Sequence, residues 1–108
     1  RPAALELVAV LEFESSSRHV DGTARFRLKQ KLQALRDAPR IVIVGHADES
    51  GPEAFNDRLS HERAEAALRQ LLARAIPAER IELVARGERE PLTSGNSRRV
   101  EIYRGGQP

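Results

Sequence analysis

Four consecutive residues constrain the fold of this chain more than any others: Ile41-Val42-Ile43-Val44, unbroken, β-branched and closed by Gly45. Such a run reads as a strand buried on both faces, because a half-exposed strand alternates apolar with polar residues. A strand covered on both faces lies inside an open α/β sheet. Sheets of that kind hold ligands just past the carboxyl ends of their strands. Asp48 stands at that position, in Gly45-His46-Ala47-Asp48, and Arg63 follows fifteen positions later in the next helical stretch. An Asp at a strand tip and an Arg on the following helix can face each other across a short gap. One takes a cation and the other a carboxylate, so the pair suits a zwitterion.

The remaining elements arrange themselves around that strand. Strand one is expected over about residues 5–13, an apolar stretch interrupted by Glu6 and Glu12, with Ser15-Ser16-Ser17 marking the loop after it. Asp21 suits a helix N-cap, and the first helix spans about residues 22–37, with Ala24, Leu28, Leu32 and Leu35 as its buried stripe and Pro39 as its stop. Strand two is Arg40–Gly45. The second helix begins near Pro52 and runs to about Ala75, short of Pro77. Ala64, Leu68, Leu71, Leu72 and Ala75 form its expected core face. Asn56, Leu59, Ser60, Arg63 and Ala67 form an adjacent stripe, from which Arg63 can flank the core and still reach a ligand.

Strand three covers about residues 80–86 and strand four about residues 98–104. In the latter, Val100 and Ile102 alternate with Arg99, Glu101 and Tyr103, the pattern of a half-exposed strand. Two right-handed crossovers make strands one to three parallel. Strand four follows a loop too short for a crossover and should run antiparallel to a neighbour. The expected fold is α/β (an α+β sandwich): a βαβαββ mixed four-stranded sheet with two main helices packed on one face. The order of strands within the sheet stays open.

Composition narrows the function classes. At 108 residues the chain can bury one core and not two, and 40% hydrophobic with 31% charged residues suits a globular fold with a soluble surface. The net charge is only +2, with acids and bases interspersed, and no basic block or aromatic-basic surface invites nucleic acid. The absence of Cys excludes a disulfide framework and Cys zinc sites. No apolar run reaches membrane-spanning length, and no stretch reads as a signal peptide.

The spacing around Asp48 resembles the OmpA-like peptidoglycan-binding domains (the OmpA C-terminal, Pal and MotB type). Their signature runs roughly G-H-T/A-D and then N-x-x-L-S-x-x-R-A. Gly45, His46, Asp48, Asn56, Leu59, Ser60, Arg63 and Ala64 match it with the family spacing. Gly87-Glu88-Arg89-Glu90-Pro91 is similar to the family's G-E-x-x-P. Asn96-Ser97-Arg98-Arg99-Val100-Glu101-Ile102 is similar to its closing N-R-R-V-E-I, with Ser97 intervening. The resemblance covers residues 41–104 closely and residues 5–38 loosely. Ala47 stands where Thr is commoner, Glu14 stands where the family commonly has Asp after Phe, and the segment between Pro91 and Asn96 is shorter than in many relatives.

That resemblance implies non-covalent capture of peptidoglycan through the meso-diaminopimelate of the stem peptide. Asp48 would pair with its ammonium and Arg63 with its carboxylate. The Asn56 amide and backbone N–H groups near Glu14 and Ser50 would complete the site, and Leu59 and Ala64 would shape it. It further implies a single domain over residues 1–108, excised from a larger envelope protein. That parent would lie in the periplasm, tethered to the outer or inner membrane by upstream segments, with the domain itself not inserted in the membrane. No cofactor and no metal is implied, and a homodimer stays open.

Each of these residues also has a plainer reading. Asp48 could cap the second helix or its turn, Arg63 could be one more solvated helix charge, and Asn56 could cap the helix or brace the loop. His46 beside Asp48, with His61 nearby, invites a metal, but zinc needs three or four converging ligands and two at most are in view. Packing or loop bracing fits His46 better. Asp48 and Glu49 diverge in extended geometry and make no acid/base dyad, and no nucleophile has motif support, so an enzyme is not expected. The alternative function is a structural, dimerisation or partner-docking module of an envelope, secretion or motility assembly with weak or no peptidoglycan binding.

Overall fold

The computed structural model describes residues 4–93 and 95–106, and in it the apolar run becomes the middle of β2 (Arg40–Gly45). Residues 1–3, 94 and 107–108 lie outside the described residues, and with them the reading of both chain ends and of part of the 91–96 segment. Ile41 and Ile43 are fully buried in the core, and Val42, on the opposite face by alternation, is 5% exposed. The other elements are β1 (Glu6–Glu12), α1 (Gly22–Gln30), α2 (Leu32–Arg36), α3 (Glu53–Ala73), β3 (Ile81–Ala85) and β4 (Arg99–Gly105), with a short 3-10 turn over Ala78–Arg80.

The sheet is mixed and four-stranded, in the order β1-β4-β2-β3. β2 and β3 pair in parallel, with Ile43 opposite Leu83. β4 pairs antiparallel with both β2 and β1, placing Ile102 opposite Ile43 and Val100 opposite Leu11. β1, β2 and β3 therefore run one way and β4 runs against them, as the loop lengths require. One apolar cluster joins Leu11, Ile41, Ile43, Val100 and Ile102 of the sheet to Ala24, Leu28 and Leu35 of α1 and α2 and to Ala64, Ala67 and Leu71 of α3. The helices thus cover a single face, and each fully buried Leu or Ile contributes roughly 1.5–3 kcal/mol.

The first helical stretch opens as expected. Asp21 Oδ1 accepts the Ala24 N–H at 2.9 Å. The single helix expected over residues 22–37 is instead two, because Lys31 at φ −105 and ψ 5 ends α1 and begins α2. No Gly or Pro accounts for that break.

α3 corrects the assignment of its faces. It buries Asn56, Leu59, Ser60, Arg63, Ala64, Ala66, Ala67 and Leu71, so the stripe expected to flank the core is the buried one. Leu72, expected inside, is 42% exposed, since one step past Leu71 turns the side chain by about 100°. The helix ends on Ala75 in the left-handed region (φ 65). The Ala75 N–H bonds to Leu72 O at 3.0 Å and the Ile76 N–H to Leu71 O at 3.2 Å, a Schellman ending.

β4 is central in the sheet, and on its outward side Glu101 and Tyr103 are half-buried while Arg99 is buried. Its outward residues cover one another: Arg99 Nε donates to Glu101 Oε2 at 3.0 Å and the Tyr103 hydroxyl to Glu101 Oε1 at 2.9 Å. Arg99 is left 4% exposed. Among the described residues no helix is long and apolar enough to cross a membrane.

Candidate functional site

Three strand ends meet at one edge of the sheet: the carboxyl ends of β1 and β2 and the amino end of the antiparallel β4. Phe13 and Glu14 leave the first, His46 to Asp48 leave the second, and Arg98 leads into the third. Backbone bonds lock them together, Phe13 N–H to Arg98 O at 2.9 Å and His46 N–H to Arg99 O at 2.9 Å.

The glycines of the motif have physical reasons. A Cβ on Gly45 would run into the Ser60 carbonyl of α3 and sit 3.2 Å from Ala64 Cβ, so only glycine lets the helix press against the strand tip. Gly87 has φ 57, and a Cβ there would meet the Asp57 carboxylate. Its carbonyl accepts the Ala47 N–H at 2.7 Å and its N–H donates to Ser60 Oγ at 2.9 Å, binding the loop after β3 to both β2 and α3. Asn56 adds to this brace, its Nδ2 donating to Glu88 Oε1 at 2.8 Å and to Gly51 O at 3.4 Å.

Asp48 sits at the rim. Its Oδ1 accepts the Ser50 hydroxyl and the Ser50 N–H, the latter at 3.1 Å, and its Oδ2 meets Arg98 Nη1 at 3.2 Å. These donors, the Ser50 hydroxyl foremost, hold the carboxyl below the usual aspartate range against the opposing effect of burial. The Ser50 N–H, expected to face a ligand, is engaged by Asp48 in this structure.

Arg63 lies deeper and is fully buried. Its Nε donates to Ser17 O at 2.7 Å, Nη1 to His46 O at 3.0 Å and Nη2 to Glu14 O at 3.1 Å, three of its five N–H groups. The Phe13 ring centroid is 5.3 Å from the guanidinium carbon. Two of the bonded carbonyls belong to a turn closed by Ser17 N–H to Glu14 O at 3.0 Å, in which Ser16 holds φ 59. Arg63 therefore ties the loop after β1 to the tip of β2. Burial pushes the guanidinium down to about 10 against the pull of the Asp48 carboxylate, which leaves it a cation at neutral pH. The open Asp48–Arg63 pair expected from the sequence is a two-level arrangement, with Asp48 at the rim and Arg63 beneath.

The other expected site residues divide between rim and floor. Glu14 is exposed and gives its carbonyl to Arg63. Leu59 is buried, and Ala64 belongs to the core cluster and presents no surface to a ligand. His46 is buried with Nε2 2.9 Å from Glu101 Oε1, while its Nδ1 has no partner among the described residues. Burial pushes its pKa down, outweighing the Glu101 hydrogen bond. His61 lies apart on the exposed side of α3, 3.6 Å from Glu65.

Arg98 is the residue that sequence reasoning missed. The closing motif contains Arg98-Arg99, but nothing local tells which arginine faces Asp48. The structure assigns Arg99 to the network around Glu101 and Arg98 to Asp48, with Arg98 Nε donating to Phe13 O at 3.0 Å. A cleft of about 210 Å³ between the end of β1 and the start of α1, lined in part by Phe13, Glu14, Asp21 and Asn96, adjoins the rim but includes neither Asp48 nor Arg63. The site therefore offers a partly exposed carboxylate beside a partly exposed guanidinium, over a second cation held below.

The sequence pattern of the OmpA family matches residues 12–104. The peptidoglycan-associated lipoprotein of Pseudomonas putida is 32% identical over 108 residues, covering 93% of this chain and 65% of that protein, so the chain spans less than two thirds of that relative's length. The crystal structure of the peptidoglycan-associated lipoprotein from Burkholderia pseudomallei superposes with a TM-score of 0.80 at 28% identity, over 89% of this chain and 90% of that one. The structure of the cell wall anchor of the T6SS from Pseudomonas aeruginosa gives a TM-score of 0.74 at 25% identity, over 98% of this chain and 89% of that one. With the family pattern running from the end of β1 through β4, and with whole-fold likeness to these solved structures, the chain belongs to the OmpA family.

Proposed function

We propose that this chain binds peptidoglycan non-covalently through the meso-diaminopimelate of the stem peptide, and that it is the wall-binding domain of a larger envelope protein in the periplasm. Family membership supports the association with the cell wall. The finer reading rests on one observation: Asp48 stands at the tip of β2 with an ionised, partly exposed carboxylate beside arginine.

Diaminopimelate carries a free ammonium next to a carboxylate at the end of its side chain. The ammonium pairs with Asp48. The carboxylate falls on the arginine side of the site, against Arg98 at the rim, with the buried Arg63 adding its positive charge from below. Asn56, Leu59 and Ala64 hold the floor, and the loops at Glu14 and Ser50 form the walls. Binding makes and breaks no covalent bond. A membrane tether belongs to the parent protein.

A pull-down with insoluble sacculi tests this. Asp48→Ala should reduce the bound fraction at least about tenfold, since truncating one partner of a charge pair costs about 2–5 kcal/mol when desolvated and less at a half-exposed rim. An Asp48→Ala protein that is folded and binds sacculi as the parent does would sink the reading.

A further inference from the structure

We infer that Arg98 makes the site select a zwitterion over a plain ammonium. This rests on the peptidoglycan-binding reading above and names the residue that sets its ligand preference. Asp48 already holds a cation: Arg98 Nη1 lies 3.2 Å from Asp48 Oδ2, on side chains 32% and 28% exposed. Arg98 is fixed for that contact. Its Nε donates to Phe13 O at 3.0 Å, its backbone N–H donates to Asn96 Oδ1 at 2.8 Å, and Asn96 Nδ2 reaches the same Phe13 carbonyl at 3.5 Å. Arg63 cannot take this part, being sealed under three carbonyl oxygens. Arg98 has three N–H groups left after its bonds to Phe13 and Asp48.

An incoming ammonium must therefore compete with Arg98 for Asp48. A ligand that brings only an ammonium exchanges one ion pair for another and leaves Arg98 facing solvent, with little gained. A ligand with a carboxylate on the same carbon gives Arg98 a new anion as it leaves Asp48, so one pair becomes two. The planar guanidinium fork suits a carboxylate better than a point charge does. Arg98 thus works against the wrong ligand and for the right one, which is how recognition sites reach specificity beyond raw affinity.

Calorimetry with a stem peptide ending in meso-diaminopimelate and its lysine counterpart tests the inference on the parent, Arg98→Gln and Asp48→Asn. The parent should prefer the diaminopimelate peptide. Arg98→Gln should bind it roughly tenfold more weakly while holding or tightening its grip on the lysine peptide, so that the preference collapses. Arg98→Lys, which keeps the charge and loses the fork, should restore part of it; this variant also decides the matter if Arg98→Gln does not fold. An unchanged preference in Arg98→Gln, or equal weakening toward both peptides, overturns the role of Arg98 and leaves the binding reading standing. A parent that ignores the diaminopimelate peptide, or an Asp48→Asn variant that binds it as well as the parent, overturns both.

Discussion

Arg63 Nη1 donates to the carbonyl oxygen of His46 at 3.0 Å, and through that bond a helix cation holds the strand tip that carries Asp48. The same guanidinium grips the Glu14 and Ser17 carbonyls of the loop after β1. It is a clamp between two loops that must be in register for a rim to exist at all.

Stability should therefore separate the two residues that the sequence pairs. Arg63→Ala strands three carbonyl acceptors and empties the space below Phe13, and should lose about 3 kcal/mol or more. Asp48→Ala, at a partly exposed rim, should lose no more than about 1 kcal/mol. Urea titrations of both variants read the difference directly. Equal losses would contradict the two-level arrangement. Asp48→Ala is accordingly the clean binding variant, whereas Arg63→Ala mixes folding with binding.

Gly45→Ala places a methyl group against the backbone of Ser60, which cannot swing aside as a side chain would. Overpacking of this kind costs about 1–3 kcal/mol and more where backbone must move. The thermal midpoint should fall by several degrees, and sacculus binding should fall with it because α3 shifts away from the tip of β2. An unaltered melt would mean that the helix does not press on the strand there.

Ala75 ends α3 in the left-handed region at φ 65, where glycine carries no steric penalty. Relief of about 1–2 kcal/mol, less the greater freedom glycine has when unfolded, leaves a gain of roughly 0.5–1 kcal/mol for Ala75→Gly. A rise in the urea midpoint checks it, and a fall would argue that the Ala75 methyl group has packing worth more than the strain.

Acid should weaken the fold through His46. Burial sets its folded pKa below the unfolded value, so between the two the unfolded chain binds more protons and stability falls as pH drops below about 6.5. Glu101, which burial pushes up but Arg99 and His46 hold low, adds a loss only at lower pH, below the usual glutamate range. Urea midpoints at about pH 7 and about pH 5 should differ for the parent and differ less for His46→Gln. The same drop in both proteins would place the acid sensitivity elsewhere.

Local determinants are legible in this sequence and distant ones are not. The β-branched run of β2, the Asp21 cap and the start of α3 after Pro52 depend on neighbours in the chain, and each stands where the residues point. Arg98 meets Asp48 across fifty positions, and no local pattern shows it. Arg63 reads as a ligand-facing residue at the flank of the core, because the carbonyls that bury it come from the loops after β1 and β2, far away in sequence. The outward side of β4 reads as exposed because Arg99, Glu101 and Tyr103 are polar, yet they satisfy one another and His46. Strand order was open for the same reason: which strands pair is decided across the whole chain.

That order, β1-β4-β2-β3, leaves no ladder between β1 and β2. Until Arg99–Gly105 lies between them, β1 has no strand to pair with, and the loop after it meets the tip of β2 through the Arg63 side chain. The pairing that unites them joins residues far apart in the sequence, and long-range pairing is the slow kind. Arg98 leads directly into that final strand. Closure of the sheet and the approach of Arg98 to Asp48 thus depend on the same strand.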